Sequence, residues 1–237
     1  MTPDPPKSRL HTLLLCAVLG SVAIYSLVLI IADNRPLRYD PVDNLISTVA
    51  LGQALSSRSD FDVDRWLSLM KYRPPVPAIA SQPATWLIAD RVVALRVTDL
   101  AALLLCIWLV YRLGCRLSST TAGLGAAVLF AAFPLVQSWG RMGNGDPVIW
   151  LSLLLLFRVT LDLDLRSAWQ GTAFGATVGL CMLTRTLTLI FLVAPVLWVV
   201  LYRVRTRRAW LNLCAAGVWA VATCGWPSKR RRHTFTQ

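Results

Sequence analysis

The chain has 237 residues, 56% of them hydrophobic, a mean hydropathy of +0.57 and a formal net charge of +12 from 24 basic and 12 acidic residues. Charged residues make up 15% of it, against about 25% in an ordinary soluble domain, so too much apolar area would face water and an integral membrane protein is the class that fits. The basic residues are dispersed between apolar stretches rather than gathered on a polar domain, which argues against nucleic acid as a partner.

A bilayer core about 30 Å thick needs about 20 residues of helix at about 1.5 Å each. The first such stretch is Thr12 to Ala32, behind Lys7 and Arg9. It is longer than the apolar core of a cleaved signal peptide, about 7–15 residues, and it meets Asp33, Asn34 and Arg35 directly, so it reads as an uncleaved signal anchor. Residues 33–92 are the only long polar region and are expected to form a partly helical first extracytoplasmic loop. The loop holds Asp40-Pro-Val-Asp43-Asn44, a helix-like run from Leu45 to Leu55, a second acidic group at Asp60, Asp62 and Asp64, and then Tyr72-Arg73-Pro74-Pro75. Asp and Ser ahead of apolar periodicity predict helix starts at 43 and 60, and the two prolines predict an extended turn before the chain returns to the membrane.

Six further apolar segments follow, at about 93–113, 121–138, 147–161, 170–184, 186–202 and 209–226. The expected fold is all-α: a polytopic membrane helix bundle of about seven spans over residues 1–227, or six spans if 170–202 is a re-entrant pair. Residues 228–237 form a basic tail that departs from the membrane pattern. Six cysteines lie in or beside the apolar runs without metal-ligand or framework spacing and read as small apolar fillers.

With the N-terminus cytoplasmic, the short inner loops hold Arg112, Arg116, Arg158, Arg166, Arg203, Arg205, Arg207 and Arg208, whereas the short outer loops hold only Arg141 and Arg185. Excess positive charge on the cytoplasmic side supports that orientation. Lys229, Arg230, Arg231 and Arg232 would then lie outside, which points either to a span count off by one or to a tail that does not continue the membrane sequence.

The residues able to carry chemistry stand at loop edges. Asp40 and Asp43 follow the first span, where a carboxylate can take a proton from a hydroxyl or amine or bind a divalent cation; the alternative is that one or both cap the helix near Leu45. Asp146 follows Arg141-Met-Gly-Asn-Gly, in which an Arg fork and glycine-exposed amides suit a phosphate, or which is simply a tight turn. Arg185 interrupts an apolar stretch, as a functional charge or one that snorkels to the interface. Arg73 precedes the two prolines, and Arg96 and Asp99, at i and i+3, read as a structural salt bridge. In the deduced topology Asp40, Asp43, Arg73, Arg141, Asp146 and Arg185 share one face of the membrane, which suits a lipid phosphate and a hydroxyl or amine acceptor.

The pattern resembles the polytopic GT-C glycosyltransferases, specifically the family 39 group of protein O-mannosyltransferases and bacterial aminoarabinose transferases. YDPVDNLISTVALGQAL resembles the start of that group's first outer loop, with Asp43-Asn44 where the group has an Asp-Glu type pair. Tyr72-Arg73-Pro74-Pro75 resembles the element that closes the loop, and ALRVTDLAALLLCIWLVYRLGCRL at 94–117 resembles the next helix. Asp146 ahead of a span and the turn Leu183-Thr184-Arg185 match two later features.

The resemblance implies a polyprenyl-phosphate-linked sugar donor, a lipid or protein acceptor, inversion at the anomeric carbon, and a place among the lipids of the plasma (inner) membrane. It implies Asp43 as general base, with Asp40 as a substitute, and Arg73, Arg141 and Arg185 on the lipid phosphate, beside Asp146. It demands no metal or other cofactor, because arginines can neutralise the leaving group; a divalent cation stays open. Members of the group are longer, so the chain is expected to be the N-terminal portion of such an enzyme. The competing class is a non-catalytic membrane protein, a lipid-binding assembly subunit or a small transporter. A transporter would show charges deep in its spans or paired broken helices, and neither is evident in the sequence.

Overall fold

The computed structural model describes residues 5–33, 40–56, 75–163, 165, 167–185, 188–204 and 206–228, and every regular element among them is a helix. In chain order these are α1 (Pro5–Ala32), α2 (Asp40–Ser56), α3 (Val76–Leu87), α4 (Arg91–Leu117), α5 (Thr120–Ala132), α6 (Pro134–Trp139), α7 (Asp146–Asp162), α8 (Ala168–Thr184), α9 (Leu189–Tyr202) and α10 (Arg207–Ser228). Each of the seven predicted spans is occupied by helix. Two of them, Arg9–Ala32 within α1 and Arg91–Leu117, are long and apolar enough to cross a membrane. Helix is the form such segments must take, because lipid offers no partner to backbone N–H and C=O groups.

Three expectations change. The helix predicted from 43 begins at Asp40, with Pro41 in its first turn, where a missing N–H is tolerated. Asp43 therefore stands inside the first turn rather than capping it. No helix start was expected after Pro75, and there α3 begins at Val76; Pro74, part of the expected turn, lies outside the described residues. The predicted third span, 121–138, is broken: Phe133 is extended (φ −68°, ψ 120°), as a residue before proline tends to be, and α6 begins at Pro134. The Gln137 side chain donates to the carbonyl of Ala131, which the break leaves without its helical partner. The helix start predicted at 60 lies outside the described residues.

The chain divides into two compact units, residues 1–61 with 77–151 and residues 62–76 with 152–237. In the first, α1 and α5 pack on α4 around Leu15, Val22, Leu103, Ile107, Ala127, Ala131 and Val136. α4 and α5 touch backbone to backbone: a Cβ on Gly114 would stand 2.6 Å from Gly123 Cα. The outward side of α1 leaves Leu13, Ile24, Val28 and Ile31 exposed, a surface suited to lipid.

In the second unit, Leu156, Phe174, Cys181, Leu192, Val199 and Ala216 lie in one core. α8 and α10 make its closest helix pair, with Gly171 against the Asn212 backbone and Gly175 against that of Ala216. Small residues four apart let two helices approach where lipid supplies no hydrophobic drive, so dispersion and local hydrogen bonds hold the pair. Asn212 also donates to the carbonyl of Leu165 at 2.9 Å, securing a connection in which Leu165 takes φ 52°. Arg203 donates to the Leu161 carbonyl and lies 4.8 Å from the Trp198 ring centroid, and Arg158 pairs with Asp162 at 3.0 Å. The five described cysteine side chains are free thiols, with Cys106 and Cys181 buried.

Candidate functional site

Asp33, Asp43, Arg96, Asp99, Arg141 and Asp146 of the first unit stand where α1 ends, α2 and α4 begin, and the turn 140–145 leads into α7. Arg96, on the second turn of α4, is buried, donates to the Asp33 carbonyl at 2.8 Å and pairs with the Asp33 carboxylate at 3.6 Å. Asp99, one turn further, is also buried and accepts the Gly145 N–H at 3.1 Å. The Arg96 and Asp99 side chains thus reach partners well beyond the local i, i+3 pairing that their spacing suggested. A charged pair so far inside a span tolerates burial only with such partners.

The turn needs its glycines. Gly143 and Gly145 take φ 79° and 76°, a region that residues with a Cβ avoid, and a Cβ on Gly145 would also stand 2.9 Å from Pro77 on α3. Two left-handed positions around Asn144 curl the backbone into a concavity of the kind that suits an anion, and the Gly145 N–H points to Asp99 there. In the sequence the amides of this turn looked free to meet a phosphate; in the structure the Asp99 carboxylate takes that of Gly145. Gly145→Ala is expected to cost about 1–3 kcal/mol from backbone strain, plus the collision with Pro77. Gly143→Ala meets nothing closer than 3.6 Å and should show the strain alone. Thermal unfolding of the two variants in detergent checks the ordering, and a Gly143 variant less stable than the Gly145 one contradicts it.

The other side of the turn is held from α2. Asn44 is buried, and its Nδ2 donates to the carbonyls of Asn144 at 2.6 Å and Gly143 at 3.3 Å. α2 is fastened in turn by α3, where Gln82 donates to the Thr48 carbonyl at 2.8 Å. Buried polar positions Asn44, Ser47 and Thr48 on α2 and Ser81 and Gln82 on α3 fall at helical spacing. Asp43, the residue before Asn44, is exposed.

Arg141 is half-buried in the turn, with its Cζ 5.6 Å from the Tyr25 ring centroid on α1. Its Nη1 is buried and has no hydrogen-bond partner among the described residues. A guanidinium presents five donors in a fixed fork, so this arginine retains capacity for an anion. Asp146, at the start of α7, is buried and lies within electrostatic reach of Asp99.

The structure thus brings Asp43, Arg141 and Asp146 to one end of the first unit. Arg185 belongs to the second unit, where it follows the last residue of α8; its carbonyl accepts the Thr188 N–H at 3.0 Å, and the Thr188 hydroxyl donates to the Cys181 carbonyl. The α2 backbone begins at Asp40, whose side chain lies outside the described residues, as does Arg73. Asn44, Asp99 and Tyr25 were not singled out as site residues from sequence. Asp99 carried a usable signal, a carboxylate within a span, and so did Asn44, a polar residue on the apolar-spaced face of α2. Among the described residues no three His, Cys, Asp or Glu side chains gather as a metal-binding group.

Comparison with known families gives one match: the model described as dolichyl-phosphate-mannose-protein mannosyltransferase covers residues 72–226, well over half of the chain. The matched residues include the 140–146 turn, Asp99 and Arg185; Asp40, Asp43 and Asn44 precede them. No curated protein and no solved structure matches the chain.

Proposed function

The chain belongs to the dolichyl-phosphate-mannose-protein mannosyltransferase family, and from that premise we propose that it moves a sugar from a polyprenyl-phosphate donor to a lipid or protein acceptor at the extracytoplasmic face, with inversion. It is a membrane glycosyltransferase of the mannosyltransferase type. The finer reading places the protein in the plasma membrane with its N-terminus in the cytoplasm, residues 1–227 as the transmembrane domain and 228–237 as an appended tail.

The observation that supports this reading is the joining of the Asp43 end of α2 to the turn that presents Arg141, whose Nη1 has no hydrogen-bond partner among the described residues. In the reaction Asp43 takes the proton of the acceptor hydroxyl or amine, with Asp40 as its substitute. The freed lone pair forms a bond to the anomeric carbon from the face opposite the phosphate. The bond from that carbon to the phosphate oxygen breaks, and polyprenyl phosphate departs with the electron pair. Arg141 stabilises the negative charge that develops there, and Asp146 contributes to the donor side of the site. A divalent cation is an optional addition to that charge neutralisation.

Labelled sugar supplied as its polyprenyl phosphate to membranes with and without this chain tests the assignment: transfer that depends on the chain supports it, and equal incorporation in both rejects it. Within that assay, Arg141→Ala is expected to raise the donor KM about tenfold or more, the worth of one or two charge-assisted hydrogen bonds. Arg141→Lys keeps the charge but loses the fork and should fall between. A donor KM unchanged in Arg141→Ala removes this residue from the phosphate site.

A further inference from the structure

We infer that Asn44 and Asp99 are a pair of positioning residues that clasp the 143–145 turn from opposite sides and so fix Asp43 relative to Arg141; the catalytic consequence rests on the function proposed above. The clasp is chemically matched. Asn44 offers only donors to the turn, and its two Nδ2 hydrogens meet the carbonyls of Gly143 and Asn144. Asp99 offers acceptor oxygens, and one of them takes the Gly145 N–H at 3.1 Å. A carboxylate cannot do the task of Asn44, because it would face two carbonyl oxygens.

The clasp joins residues about 100 positions apart in sequence, and each end adjoins a residue of the proposed reaction. Asp43 directly precedes Asn44, while Arg141 and Asp146 flank the gripped turn. In an inverting transfer the base and the departing phosphate act on opposite sides of one carbon, so their separation must be held closely, and misplacement by about 1 Å can cost about 100-fold in rate.

The test uses the full chain in detergent or nanodiscs. Asn44→Asp keeps the side-chain shape and removes both donors; Asp99→Leu removes the acceptor, and Asp99→Asn keeps one acceptor oxygen. Hydrogen exchange of the 143–145 amides is expected to accelerate in Asn44→Asp and Asp99→Leu, and less in Asp99→Asn. For Asn44→Asp, kcat is expected to fall about 100-fold while the donor KM stays within about twofold. Unaltered exchange at 143–145 overturns the clasp. Local acceleration with unaltered kcat overturns its positioning role, and so does acceleration spread through the whole chain with activity lost in proportion to folded protein. Exchange needs no turnover, so a wild-type chain that transfers no sugar sinks the proposed function alone, and the clasp then stands or falls on the exchange of 143–145.

Discussion

Asp43→Asn should lower sugar transfer by about 100- to 10,000-fold while leaving membrane insertion and the amount of folded protein unchanged. The large effect follows from the task given to this carboxylate. An acceptor hydroxyl is a poor nucleophile until its proton is removed, and an amide of the same shape cannot remove it. The small effect on folding follows from the site. Asp43 is exposed and stands within the first turn of α2, which starts at Asp40, so it does not serve as the cap on which that helix depends. The neighbouring Asn44 contacts to Gly143 and Asn144 also persist when only position 43 changes. Rates with labelled donor, normalised to protein extracted from the membrane, measure the effect. Unchanged transfer would remove Asp43 as the base; if Asp40→Asn then lost activity, the role would pass to Asp40.

Gly175→Leu should destabilise the second unit by about 3 kcal/mol, a large fraction of what holds a small domain together. No Cβ fits at Gly175: it would collide with the Ala216 carbonyl oxygen and stand 2.7 Å from Ala216 Cα. Backbone cannot step aside as a flexible side chain can, so α8 and α10 would have to separate. The Asn212 bond to Leu165 would then be strained or lost along with the packing around Phe174 and Ala216. Gly217→Leu is the matched control. It lies on the same helix pair, is exposed, and a Cβ there meets nothing within 4 Å. Thermal unfolding in one detergent should show a marked drop for Gly175→Leu and little change for Gly217→Leu. Equal stability of the two variants would mean that the α8–α10 contact is not close.

Helix placement was legible from apolar runs, and the exceptions have local causes. α3 was not placed because its sequence holds Pro77 and Pro83 close behind Pro74 and Pro75; Pro77 falls in the first turn, where a missing N–H is harmless, and Pro83 is tolerated inside the helix. The start of α2 was misplaced for the same reason, with Pro41 inside it. The break at Pro134 was overlooked because hydropathy is continuous across it. The close approach of α8 and α10 had a signature in Gly171-Thr-Ala-Phe-Gly175, but small residues at that spacing name no partner, and Asn212 and Ala216 are about 40 residues away.

The sequence by itself determined that this is a membrane protein built of helices, and nearly where each helix lies. Those features follow from composition and from the need to satisfy every backbone group within an apolar segment, both of which are local. It also marked Asp43, Arg141 and Asp146 as candidates, because charges at the edges of apolar runs stand out. Which of them meet was decided only by the tertiary structure. Asn44 reaches the turn across about 100 residues and Asp99 reaches it across 46, and in both cases the bond depends on backbone groups that every sequence carries alike. Carbonyls and amides leave no mark in a sequence. Their direction is set by φ and ψ at Gly143 and Gly145 and by the packing of α2, α3 and α4 around them, so the roles of Asn44 and Asp99 emerge only when those helices are assembled.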